Sequence, residues 1–485
     1  MGIRTAIWVI LTAAVALLFG PTHGVEADVS GTDAGAPLCR FGVNDSENDI
    51  AAFDTAALRL GWYIDYRAKQ NPARPNGIEH AQMIRLYGTN SNSYGYSPNG
   101  QSLLDIIAAT PGVDWYIGNE PDRTKFQDDM DPHLYAAAYQ ELHTLIKQRD
   151  PSAQIIAGSI VQATEVRLKY LDKVLESHLE QFGRPMPVDA WSIHGFILNE
   201  VLCDPIEPDV SQCWGAEIPP GLDDTTGLVI DVQDNDDFEI FKAQIQRFRR
   251  WMADRGYRDT PLYLSEYGIL MPQGIFSPDF DSNRVNAFMT QSFDYLLNTT
   301  DATLGYPADG DLLVQRLSWY STGDKNFFNG YLFDTDLNNA RSQMGDNYAN
   351  YTAQLSEEVD LHITRLDANP PAPPVAGGNA TITLTAHVAN AGNTLANTPT
   401  VVRFYTGDPA SGGQQIGSDQ VVSLSGCGDR FSAQVEWTDV GPGNYTVYAM
   451  VDPDNQVAET GPLPNKANRS IFFVTDEVYL PLSSR

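Results

Sequence analysis

From Cys39 onward, short apolar runs alternate with amphipathic stretches. The runs read RFGVN, LGWYIDY, MIRLYG, WYIGNEP, QIIAGS, AWSIHGF, PLYLSEYG and RLSWYS. They carry the β-branched and aromatic residues that fill the inside of a sheet. Between them, HLYAAAYQELHTLIKQ, VRLKYLDKVLESHLEQF and FEIFKAQIQRFRRWM repeat their apolar positions at helical spacing. Strand and helix in alternation predict parallel pairing, because parallel strands need a crossover. Eight such units predict a closed (β/α)8 barrel, the TIM-barrel architecture, with loop insertions. An open doubly wound sheet would announce a Gly-rich phosphate turn after its first strand. RFGVNDSEND has none.

After residue 358 the pattern becomes all-β. ATITLTAHVANAGN, TVVRFYTGD, RFSAQVEW and NYTVYAMVDPDN alternate apolar with polar positions, divided by Gly, Asn, Asp and Pro turns. This predicts an antiparallel, immunoglobulin-like sandwich. DLHITRL also reads as a strand, so the boundary falls near Glu358, ahead of the Pro-rich NPPAPPVAGGN. At the other end Arg4 precedes the apolar run AIWVILTAAVALLF, and GVEA follows. That is the charged, apolar and small-residue order of a secretory signal. The run is shorter than the ~20 apolar residues a membrane span needs. The expected organisation is a signal over residues 1–27, a barrel over 28–358, a sandwich over 359–476 and a tail over 477–485, in a secreted protein.

Charge and cysteines add two constraints. The net charge of −31 gives a surface that repels phosphate backbones and anionic lipid. Nucleic acid and membrane are therefore poor partners, and a neutral substrate is compatible. The four cysteines are Cys39, Cys203, Cys213 and Cys427, and in an oxidising compartment they predict disulfides. Cys203 and Cys213 close a short loop and are expected to pair. Cys39 precedes the first strand, at the barrel's lower face, where the chain also leaves for the second domain. Cys427 lies in a Gly-flanked turn of that domain. These two either bridge the domains or remain free thiols, a less comfortable state in a secreted protein.

The candidate chemistry lies at strand ends. In such a barrel the C-terminal ends of the strands surround the active site. WYIGNEPD places Asn119 and Glu120 where the fourth strand emerges, and PLYLSEYG repeats the anomaly with Glu266 on the seventh. A single strand-end carboxylate is commonly a helix cap or a loop salt bridge. Two of them, on the fourth and seventh of eight strands, would meet across one bowl. Paired carboxylates suit glycosidic cleavage: one is protonated to release the leaving oxygen, the other ionised to attack or to activate water. Their repulsion helps keep one proton in the site, and the Asn119 amide suits a sugar hydroxyl. Metal-dependent hydrolysis would need several His or Asp at strand ends. Of eight histidines only His194 falls at one, so neither metal nor cofactor is expected. Residues 204–239 hold eleven acidic residues and no Lys or Arg. Within them, DVQDNDDFE reads either as a calcium loop or as N-caps for the helix starting near Phe238. With Trp214 and the Cys203–Cys213 loop, this stretch is expected to wall the cleft.

Asn119-Glu120 ending strand four and Glu266 ending strand seven resemble the signature of glycoside hydrolase clan A. The resemblance implies Glu120 as acid/base, Glu266 as nucleophile and retention of configuration. GNEPD, WSIHGF and LSWY are most similar to glycoside hydrolase family 128, which implies action on β-1,3-glucan. The clan resemblance also implies that His194 hydrogen-bonds the nucleophile and that Trp319 stacks a sugar face. Tyr63, Tyr66, Arg85 and Tyr87 are weaker substrate-binding candidates, because alternate residues of a strand point outward. VANAGN, VRFYTGD and VDPDNQVAETGPLPNKANRSI resemble the bacterial cell-adhesion-related (CARDB) domain, which implies a spacer or a module contacting a cell surface or matrix. The reading is a secreted retaining β-glycosidase acting on polysaccharide. Its rival is a non-catalytic carbohydrate-binding or adhesion protein on a barrel scaffold, which would be free to lose the two carboxylates.

Overall fold

A computed structural model describes residues 37–124, 127–201, 215–325, 328–370, 379–392, 398–424, 426–427, 429–459 and 464–472. The expected signal, the Cys203–Cys213 pair and Trp214 lie outside the described residues. Each of the eight apolar runs holds a strand: β1 (Phe41–Asn44), β2 (Trp62–Ile64), β3 (Glu79–Asn90), β4 (Asp114–Ile117), β5 (Gln154–Ile160), β6 (Ala190–His194), β7 (Leu262–Tyr267) and β8 (Arg316–Trp319). Neighbours in this order pair in parallel, and β8 pairs with β1 to close the barrel. A single turn, α1 (Thr55–Leu58), follows β1. Longer helices follow the later strands: α2 (Gly100–Ala109), α3 (Pro132–Arg149), α4 (Glu165–Phe182), α5 (Phe238–Asp254), α6 (Ser282–Asn298) and α7 (Gln343–Thr352). β3 runs on past the barrel into a hairpin with the strand Ser93–Ser97, a feature the apolar pattern did not announce.

Side-chain alternation divides each strand between two cores. Trp62 and Ile64, Ala81 and Met83, Tyr116 and Tyr263 fill the barrel's interior. Their neighbours Tyr63, Trp115, Leu264 and Trp319 pack outward into the layer shared with the helices. Arg316 closes the floor, held at 2.8 Å by each of Glu79 and Asp114. This phase, fixed by packing below, decides which strand-end side chains reach the mouth above.

Seven strands follow: β9 (Leu361–Asn369), β10 (Ala380–Asn390), β11 (Thr398–Thr406), β12 (Gln414–Leu424), β13 (Asp429–Val440), β14 (Asn444–Val451) and β15 (Lys466–Phe472). They form two antiparallel sheets, ordered β9-β10-β13 and β12-β11-β14-β15. Ile363, Leu384, Phe404 and Val447 lie in the core between them. Helix α7 ends at Thr352 and β9 opens at Leu361, so Glu358 falls in the connection.

Cys39 and Cys427 form a disulfide with their Cα atoms 5.0 Å apart. Cys39 lies just ahead of β1, and the Arg430 guanidinium sits beside Gly112, just ahead of β4. The sandwich therefore meets the lower face, away from the strand ends that form the mouth. Replacing both cysteines by serine is expected to lower stability by about 2–5 kcal/mol, the usual worth of a native bridge. A denaturant titration with an unchanged midpoint would contradict this.

Candidate active site

The strand β4 ends at Ile117, and the chain then kinks. Gly118 (φ +85°) and Glu120 (φ +44°) both take left-handed backbone. Glycine does so freely, whereas a residue with a side chain is strained there, typically by about 1–3 kcal/mol. Hydrogen bonds hold the kink: the Glu120 N–H donates to the Ser159 carbonyl at 3.0 Å and the Asn119 N–H to Asp128 Oδ2 at 2.8 Å. This is why a buried strand can close on Asn-Glu. The turn carries the carboxylate across the mouth, and its neighbours over-determine the strain.

Glu266 arrives by a different irregularity. Strict alternation after Tyr263 would bring in Ser265, whose hydroxyl lies 2.6 Å from Ser192 Oγ. The β6–β7 register shifts between Leu264 and Glu266, which places Glu266 opposite His194. Such a bulge re-aims a side chain, and here it delivers two successive residues to the barrel's inside.

His194 stands between the two carboxyls. Its Nδ1 lies 3.0 Å from Glu120 Oε1 and its Nε2 3.5 Å from Glu266 Oε1. The well-formed hydrogen bond therefore goes to Glu120, where the resemblance implied Glu266. On the far side of Glu120, Arg123 Nη1 is 3.2 Å from Oε2. One oxygen of each glutamate and one His194 nitrogen lie within 4.8 Å of one another. These three side chains are the one group of potential metal ligands among the described residues. The Arg123 cation on Glu120 opposes an ion there, and we assign none.

Glu266 Oε1, His194 Nε2 and the Tyr66 hydroxyl are buried without a well-formed hydrogen bond. Buried polar atoms are normally paired, so orphans gathered around one carboxylate mark a place that receives a ligand's polar groups. The two glutamates are driven apart. Burial pushes Glu266 up to about 7, and the charge of Glu120 adds to the rise, while His194, the facing Tyr66 hydroxyl and Arg85 hold it back. Burial also favours neutral Glu120, but the His194 hydrogen bond and the Arg123 charge outweigh it and set Glu120 below its ordinary value. For His194 burial disfavours the charged ring, yet the two carboxyls prevail and raise it. Environments that separate two carboxyls in this way are the physical mark of an acid–base pair.

The remaining expected residues divide by strand phase. Tyr66 and Arg85 continue the inward rows of β2 and β3 and face Glu266. Tyr63 is out of phase: it is fully buried, with its hydroxyl donating to the Ala73 carbonyl at 2.7 Å and its ring beside His80. Trp319 is out of phase too, which corrects its expected role. It is 0% exposed, packed against Phe288 and Phe293 of α6, with its indole N–H on the Gly330 carbonyl. Losing such a ring from a core typically costs about 3–5 kcal/mol, so packing claims this residue. Tyr320, one position on, takes the inward phase. It is half-buried between Phe196 and Phe328; burial raises its hydroxyl's pKa, and the charges of Asp324 and both glutamates add to the rise. Counting by twos from Arg316 would have found it.

Asn119 Nδ2 donates to Gln127 Oε1 at 2.9 Å, and Arg85 Nη2 reaches the same oxygen at 3.2 Å. Tyr87 stands on the hairpin that prolongs β3, 46% exposed. In the acidic stretch Asp231 and Asp237 cap the turns that open at Val232 and Phe238, and Asp236 pairs with Arg284. These contacts follow the helix-capping reading, not the calcium one. Sequence reasoning missed Arg123 and Glu217, whose side chains meet at 3.3 Å beside Glu120. Nothing in the local pattern singles either out.

Residues 358–469 match the CARDB family model, and this part of the chain is a CARDB domain. No curated protein matches the chain. Among solved structures, the CARDB domain of a Pyrococcus furiosus protein, in complex with di-metal ions, is 26% identical over 24% of this chain and 90% of its own, with a TM-score of 0.20. A monomeric β-xylosidase from Caulobacter crescentus is 12% identical over 86% of this chain and 97% of its own, with a TM-score of 0.40. A GH39 enzyme from Xanthomonas axonopodis pv. citri is 13% identical over 84% and 93%, with a TM-score of 0.41.

Proposed function

We propose that the barrel is a retaining glycosidase that cleaves β-linked polysaccharide, with Glu120 as acid/base and Glu266 as nucleophile. The observation that carries this reading is the approach of the two strand-end glutamates, oxygen to oxygen within 4.8 Å. Double displacement uses carboxyls about 5–5.5 Å apart, whereas inversion needs about 6.5–9.5 Å to admit a water. In the first step Glu266 attacks the anomeric carbon while Glu120 gives its proton to the leaving oxygen. In the second, Glu120 takes a proton from water, which displaces Glu266.

Burial and the neighbouring charges favour the proton on Glu266, the reverse of what the first step uses. His194 touches both carboxyls and supplies a path. Glu266 passes its proton to Nε2 while the proton on Nδ1 passes to Glu120, and the imidazole changes tautomer without changing charge. Tyr320, flanked by Phe196 and Phe328, offers an aromatic face against which the apolar side of a sugar ring buries area. The family resemblance favours β-1,3-glucan. The leading segment, as a secretory signal, would place the enzyme outside the cell, with the CARDB domain as its contact to surface or matrix.

Incubation with β-1,3-glucan, β-1,4-glucan, mannan and xylan is expected to release new reducing ends from at least one. The first anomer seen by NMR should retain the β configuration. On that substrate kcat/KM is expected to fall above about pH 7, where Glu266 loses the proton that the relay delivers to Glu120. No release from any of the four, or an inverted first product, would sink the proposal.

A further inference from the structure

The insertion after β6 returns to the mouth at Gly215–Ala216, paired in parallel with Asn199–Glu200. Its anchorage is buried. Glu200, wholly inaccessible, accepts from Arg167 Nε at 2.6 Å and from the Leu228 N–H at 2.8 Å, and Arg167 Nη2 donates to the Glu217 carbonyl at 2.5 Å. The backbone so fixed sets the Glu217 side chain beside Arg123. Arg123 Nε lies 3.3 Å from Glu217 Oε2, Nη2 donates to the Gly215 carbonyl at 3.3 Å, and Nη1 lies 3.2 Å from Glu120 Oε2. One guanidinium, with its fixed fork of donors, joins the insertion to a carboxylate of the catalytic pair.

We infer that Arg123 and Glu217 are positioning residues that set where the pair's proton rests, which makes the insertion part of the catalytic apparatus. The purpose of this arrangement rests on the glycosidase reading; its geometry does not. A cation in contact with Glu120 favours the ionised form. Glu217, in contact with the same cation, takes up part of its field and returns proton affinity to Glu120. The side chains of Arg123 and Glu217 are each 17% exposed, so solvent screens this chain of charges less than it would a surface pair. Other groups also act on Glu120: His194 from β6, Glu266 from β7 and Arg167 from α4. So do Asp122 from its own loop, and Tyr66 and Tyr320 from beyond β2 and β8. Arg167 is already matched by Asp122 and Glu200, which leaves Arg123 as the cation whose charge is divided between Glu120 and the insertion.

A mere clamp and a proton-setting pair predict different signs. The test is carboxyl-carbon NMR of the full chain labelled in glutamate, with the Glu120 signal identified by its loss in Glu120→Gln. Arg123→Gln is expected to raise the Glu120 titration by about one unit or more, the usual effect of removing a contacting opposite charge. Glu217→Gln is expected to lower it by about half a unit, being one side chain further off. Arg123→Lys, which keeps the charge, should leave it nearly in place. Shifts of the same sign in Arg123→Gln and Glu217→Gln, or none in either, would overturn the inference. Should Arg123→Gln not fold, a lowered titration in Glu217→Gln with an unmoved one in Arg123→Lys supports it, and any other outcome of those two overturns it. The titration needs no substrate, so a chain that hydrolysed none of the glycans would defeat the functional proposal and leave this one to be judged on its own result.

Discussion

Glu266→Ala is expected to abolish turnover of every substrate, whereas Glu120→Ala should lose activity selectively. Removing the nucleophile of a serine protease, another double-displacement enzyme, costs on the order of 10⁶-fold. General acid assistance is worth about 10²–10⁴-fold, and only where the leaving group needs it. Glu120→Ala should therefore form a glycosyl-enzyme readily from an activated aryl glycoside and accumulate it, while failing on the natural polymer. Azide separates the two further. It should rescue Glu120→Ala with a product of retained configuration and Glu266→Ala with an inverted one. Near-parental rates on polymer for both variants would end the assignment of roles.

Arg167→Ala is expected to be the most destabilising substitution near the site. Arg167 is wholly buried and paired with Asp122 and Glu200, both also buried. Removing one partner strands the others in a low-dielectric interior, typically at about 3–5 kcal/mol. Asp122 lies two residues beyond Glu120, and its carboxylate also accepts from the Val161 N–H. The loss should thus appear in the kinetics before the chain unfolds. A urea midpoint within experimental error of the parent would refute the triad's importance. Replacing all three residues by apolar ones of similar volume should cost far less than the single change, because buried ion pairs are expensive to desolvate.

The eight strands were legible because each buries a short run of β-branched and aromatic residues, and such runs survive in a single sequence. The carboxylates were legible for the opposite reason: they interrupt those runs where apolar residues belong. Trp319 was misread because the eye follows residue type, while the barrel follows phase. Arg316 fixes the phase of β8 from the floor, and that sends Trp319 to the helices and Tyr320 to the mouth. His194 could be placed at the rim but its partner could not, since the kink at Glu120 and the register shift at Glu266 are backbone events with no residue signature. Arg123 and Glu217 were illegible for a similar reason. Their meeting depends on how a long insertion folds back, which pairs residues far apart in sequence through buried contacts at Glu200 and Arg167.

The Cys39–Cys427 bridge has a mechanical consequence. It closes a covalent ring that contains every barrel strand and most of the sandwich. Tension applied between a point upstream of Cys39 and one downstream of Cys427 runs through the sulfurs and bypasses everything inside the ring. If the chain is tethered beyond β15 and pulled from a point ahead of Cys39, the pull never reaches the backbone around Glu120 and Glu266. Only the segment from Cys427 onward, with strands β13 to β15 of the sandwich, bears that load. Under reducing conditions the same pull would pass straight through the barrel.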